Sequence, residues 1–253
     1  MRIAKFVVVT FLIFNSGLLF AQQYDSIFGK PFVVLTETNP TVTVGNDEPI
    51  LALYENGQII YKTVENKKVK FMIVALEKKQ AEDVMNSFSI KSSVHKLPAK
   101  VIASQFSDQP SNLLYLDLSG GVKTIRVYGN LNLPNGEGRK KTPKDFLTVF
   151  DNIKSYKSDS AKTWVPDKIE LLFWSYDYAT TTKNWPKNLP DLNTAGTVAR
   201  AGGTYSVFMD KKDFEAFKKF YYTLSENDAV EINGKKMAVA YRFPFPNLNN
   251  TIK

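Results

Sequence analysis

The chain has 253 residues, with 33 Lys and Arg against 25 Asp and Glu, a single His and no Cys. Without Cys there is no disulfide framework, no thiolate nucleophile, no thiolate metal site and no thiol for lipid attachment. The basic excess is modest and spread along the chain. Its densest run, "GRKK" at Gly138–Lys141, reads as a solvated loop, which argues against a dedicated nucleic-acid binder.

The first residues have the pattern of an export signal. Arg2 and Lys5 precede the apolar run "FVVVTFLIF", Asn15 and Ser16 break it, and Ala21 stands where cleavage is expected. A membrane anchor needs about 20 continuous apolar residues, more than this run supplies. The reading is therefore a signal peptide over residues 1–21 and a secreted or periplasmic protein without stable membrane insertion. Cleavage there removes two basic residues and no acidic one, leaving 232 residues at a net charge of +6. That length suits one domain over 22–253 held by its core alone, with a sub-boundary at the polar "QFSDQPSN", 105–112.

Turn chemistry marks three hairpins. Asn56-Gly57 in "ILALYENGQIIYKTV" suits a type I′ turn, in which both central residues take positive φ; Gly120-Gly121 and Asn233-Gly234 repeat the signal. Helices are expected in "EKKQAEDVMNSF", with Ala81, Val84, Met85 and Phe88 inward, and in "KTPKDFLTVFDNIKSY", with Thr142 as N-cap and Phe146, Val149, Phe150 and Ile153 inward. A third is expected in "MDKKDFEAFKKFYYTL" behind an Asp210 cap. Each follows a strand pattern. The fold class read from this order is α+β: a mixed, mostly antiparallel sheet with about three helices packed on one face.

The stretch "FWSYDYATTTKNWPKNLPDL", Phe173–Leu192, is dense in aromatics. If Lys168–Tyr178 is a strand, alternation puts Ile169, Leu171 and Phe173 on one face and Glu170, Leu172, Trp174, Tyr176 and Tyr178 on the other. An unpaired carboxylate resists burial, so the second face is expected to look into solvent. In "VKTIRVYG" the same parity sets Arg126 and Tyr128 apart from Ile125 and Val127. If these strands share one sheet, Glu170, Trp174, Tyr176, Tyr178, Arg126 and Tyr128 form a recognition face for a glycan or an extended peptide. The competing reading is a core, with the loop around Trp185 and Leu189 folded over that face.

No sequence signature of catalysis stands out. His95 lacks a G-x-S-x-G partner and any second His for a zinc site; "SGGVKT" lacks phosphate-loop spacing; "DLNTAG" fails as a calcium loop at its fifth and twelfth positions. No cofactor or metal is expected. Paired carboxylates remain, with Glu170 and Asp117 as the geometrically open pair for an envelope or extracellular glycan hydrolase. A non-catalytic binding or interaction protein is the leading reading.

The set "VYGNLNLP", "DFLTVFDNIKSY", "AKTWVPDKIELLFW" and "NWPKNLPDL" resembles uncharacterised signal-bearing secreted bacterial proteins over about Leu113–Leu192. The resemblance implies export and a shared fold, and assigns no activity and no catalytic residue.

Overall fold

The computed structural model describes residues 24–40, 47–66 and 68–248. The segment read as a signal peptide, residues 1–21, lies outside the described residues. Those described form fourteen strands and five α-helices in two mixed sheets, an α+β-like arrangement dominated by sheet. The single sheet expected from the sequence is thus two, and the helices number five where about three were expected.

The first sheet draws on β1 (Pro31–Thr38), β2 (Pro49–Tyr54), β3 (Gln58–Glu65), β4 (Lys68–Ala75), β5 (Lys100–Ile102), β6 (Ser111–Leu118), β7 (Gly121–Tyr128) and β8 (Lys162–Thr163). Their order across the sheet is β5-β7-β6-β1-β2-β3-β4-β8. The second draws on β9 (Lys168–Ser175), β10 (Thr181–Asn184), β11 (Val198–Ala199), β12 (Tyr205–Asp210), β13 (Asp228–Ile232) and β14 (Lys235–Arg242), in the order β10-β13-β14-β9-β12-β11. Only β5 with β7 and β10 with β13 pair in parallel among the described strands. Segment 105–112 runs from the β5–β6 connection into the start of β6 in the first sheet; the chain passes to the second sheet at 164–167.

One face of the first sheet packs on helices. Val33, Leu35, Leu53, Ile59, Leu114 and Val127 meet Phe146, Val149, Phe150 and Ile153 of α4 (Lys144–Ser155), with Phe88 following α1 (Lys78–Ser87) and Val94 from α2 (Ser92–His95). The α4 stripe is the one read from its spacing. Its cap differs: Pro143 holds the N-cap position, while the Thr142 hydroxyl donates to Gly138 O (2.6 Å) on α3 (Glu137–Lys141). Arg139 of α3 also grips Asp151 of α4.

The opposite parity of the first sheet enters a second core. Val34, Ala52, Tyr54, Ile60, Phe71 and Tyr115 share that core with Ile169, Leu171 and Phe173 of β9, Val207 and Met209 of β12, and Phe214 and Phe217 of α5 (Phe214–Tyr221). The junction is aromatic: Phe71 lies 5.5 Å from both Phe243 and Phe245, and Trp164 lies 5.2 Å from Phe245. The first sheet is therefore buried on both sides over β1 and β2. That explains their unbroken apolar runs, the pattern of a strand with no solvent face.

The hairpins form where turn residues predict them, with differing geometry. Asn233 (φ 50°) and Gly234 (φ 72°) are both left-handed, and Ile232 pairs with Lys235, as a type I′ turn requires. At Asn56-Gly57 only Gly57 has positive φ (77°), and the Gly57 amide donates to Tyr54 O. This is the longer loop with a left-handed glycine closing it, a correction of the type I′ expectation.

Candidate functional site

The second sheet buries one face against α5 and the shared core. Its other face presents a lattice fixed by register. Trp174 of β9 lies opposite Ala238 of β14; Leu172 lies between Ala240 and Ser206; Glu170 lies between Arg242 and Phe208. Trp174, Phe208, Ala238 and Ala240 are half-buried, while Leu172 is 8% and Glu170 only 2% exposed. Two short Ala side chains thus neighbour the Trp174 indole, an apolar combination that suits the flat side of a ring or an extended chain.

One end of this surface is an ion-paired network around Glu170. Oε1 accepts from Arg200 Nη2 (2.9 Å) and from the Ser206 hydroxyl (2.6 Å), and Oε2 accepts from Arg242 Nε. Arg200 Nε also donates to Ser206 Oγ (2.6 Å), and Arg242 Nη1 reaches Asp47. Arg200 comes from the short turn after β11, where its amide donates to Thr204 O (2.7 Å), and its side chain crosses β12 to reach β9. Burial works against the Arg242 charge, but Glu170 and Asp47 outweigh it and raise the guanidinium pKa. The expectation that Glu170 looks freely into solvent is corrected: it is buried because two guanidiniums and a hydroxyl supply the partners that burial demands.

The other predicted residues separate. Strand β9 ends at Ser175, so Tyr176 and Tyr178 lie in the turn beyond it. Their rings meet edge to face at 5.0 Å, the Tyr176 hydroxyl donates to Glu226 O (2.9 Å), and Tyr178 is 85% exposed. They extend the Trp174 edge but do not continue its alternation. Arg126 and Tyr128 are on β7 of the first sheet, where the Tyr128 hydroxyl donates to Phe106 O (3.0 Å). They do not join the Glu170 face, because β7 and β9 belong to different sheets.

Trp185 and Leu189 are buried, as the core reading had it, but beneath the other face. Trp185 is 8% exposed, 5.1 Å from Phe173 and 5.5 Å from Phe220, and its indole N–H donates to Pro190 O (3.0 Å). The stretch thus divides by parity, with Trp185 sealing the core side of β9 and Trp174 left on the outer side.

The carboxylate pair weighed for hydrolysis does not assemble. Asp117 stands on β6 of the first sheet, ion-paired to Lys30 and accepting from the Tyr115 hydroxyl (3.3 Å). Both Glu170 oxygens are occupied by donors, so neither is presented to a substrate. His95 sits on α2 beside the Gly120 turn. The Asp191 carboxylate is taken up by the Asn193 amide and the Asn233 side chain, and hydrogen bonding to Asn233 first of all holds it below its ordinary range.

Sequence reading missed Arg200 and Arg242. Arg242 carried a signal, since it shares parity with Ala238 and Ala240 against the apolar Met237, Val239 and Tyr241. Arg200 carried none, because it acts from outside any long strand. Sequence reading also missed a cleft of about 760 Å³ between α1 and the β2–β3 hairpin, floored by Phe32, Leu76, Ala81 and Met85. None of the α1 side chains is fully buried, although Val84 and Met85 pack partly against the core.

No protein-family model, curated protein or solved structure matches this chain. No helix among the described residues is long and apolar enough to cross a membrane.

Proposed function

We propose that this is an exported, non-catalytic binding protein that holds a glycan strand or an extended peptide on the outer face of its second sheet. The observation that carries this reading is the half-buried Trp174 beside Ala238 and Ala240 at one end of the face, with Phe208 and the Arg200–Glu170–Arg242 network at the other. Aromatic faces supply stacking area, and the guanidinium groups orient polar substituents. Register and ion pairing fix the arrangement before any ligand arrives, which lowers the entropic cost of binding. Export rests on the basic and apolar N-terminal pattern of residues 1–21.

Titration of the protein with a panel of soluble glycans and peptides, read by tryptophan fluorescence, tests the reading. A member of the panel should shift Trp174 emission, and Trp174→Ala should fold normally and lose that response. A response that survives in Trp174→Ala, or none across the panel, contradicts it.

A further inference from the structure

The two sheets are joined at one place by consecutive residues on each side. Asp47 and Glu48 lead into β2 of the first sheet, and Arg242 and Phe243 close β14 of the second. Glu48 Oε1 accepts the Phe243 amide proton at 2.6 Å, and Asp47 pairs with Arg242. Phe243 itself is buried, 5.5 Å from Phe71 of the first sheet and 5.3 Å from Phe214 of α5. A backbone amide held by a carboxylate is thus part of the seam between the sheets.

The surroundings of Glu48 oppose one another. Burial disfavours its charge most strongly, and Asp47 beside it adds repulsion. The Phe243 amide, Lys62 from β3 and Arg242 from β14 favour the charge. Tyr241 of β14 also feels the Glu48 charge, and Tyr222 following α5 acts on Tyr241. Burial prevails, and the Glu48 carboxyl is pushed up to about 7 from an ordinary 4.5. Arg242 is shared, since it binds Asp47 in the seam and Glu170 beneath the outer face of the second sheet.

We propose that Asp47–Glu48 and Arg242–Phe243 form a pH-sensitive clasp, one that holds the two sheets together more firmly when Glu48 is protonated than when it is charged. The sign follows from linkage. Between the unfolded value near 4.5 and the folded value near 7, the folded protein holds the extra proton. The clasp's contribution is therefore complete below about pH 4.5, declines as the pH rises towards 7 and is gone above it.

Melting temperatures of the wild type and Glu48→Gln between pH 4.5 and 8.5 test it. Glutamine keeps the acceptor for Phe243 and cannot charge. The variant should match or fall below the wild type at pH 4.5 and exceed it by about 3 °C or more at pH 8. Native-state exchange of the Phe243 amide at pH 8 should slow in the variant by severalfold. An offset between the two melting curves that stays constant across this range overturns the proposal. Should Glu48→Gln fail to fold, carboxyl carbon-13 titration of wild-type Glu48 decides. A midpoint near 7 supports the clasp, and one near 4.5 overturns it.

Discussion

Strand β2 of the first sheet and strand β9 of the second are both central and both rich in apolar residues, yet they are solved differently. In β2, Leu51, Ala52, Leu53 and Tyr54 are completely buried on both parities, because helices cover one face and the shared core covers the other. In β9, Ile169, Leu171 and Phe173 are sealed, while Glu170, Leu172 and Trp174 become progressively more exposed along the strand. The difference teaches that in β9 the parity carrying the charged residue is the one whose exposure grows along the strand, even though that residue is itself buried. Glu170 survives burial through its two arginines, so it belongs to the surface network and not to the core.

The contrast can be broken most forcefully at the core side of β9. Trp185→Ala removes the ring that packs on Phe173 and Phe220, and unfolding in denaturant should show a loss of about 3–5 kcal/mol. Glu170→Gln leaves Arg242 and Arg200 without their carboxylate. Partial exposure of Arg200 moderates the cost to about 3 kcal/mol, measured the same way, with no comparable loss in Lys168→Gln, whose Asp210 pair is exposed. Trp174→Ala should cost about 2 kcal/mol, less than Trp185→Ala, because the half-buried outer-face ring gives up less apolar area than the sealed one. Gly234→Ala forces a side chain into a left-handed turn (φ 72°) and should cost about 1 kcal/mol. A Trp174→Ala loss equal to that of Trp185→Ala would erase the distinction between the two faces.

Much of this was legible locally. The sealed parity of β9, the inward stripe of α4 and the Asn233-Gly234 turn are set by neighbours a few residues apart, and spacing reports them. What spacing does not report is which strands share a sheet. Arg126 and Tyr128 have the same alternation on β7 whether or not β7 lies near β9, and that proximity depends on long-range pairing. The partners of Glu170 were hidden for the same reason: Arg242 approaches from the next strand and Arg200 from a turn beyond β12. The end of β9 was also misjudged. The alternation continues in sequence to Tyr178, but the backbone turns after Ser175, where the Ala179 amide donates to Tyr176 O.

The central claim is that the outer face of the second sheet is open at Trp174. Acrylamide quenching of two single-tryptophan proteins tests it directly, one retaining Trp174 and the other Trp185, with the remaining tryptophans replaced by Phe. The account predicts strong quenching of Trp174 and weak quenching of Trp185 in the folded state. Equal protection of the two indoles, with both becoming accessible only on unfolding, would contradict it.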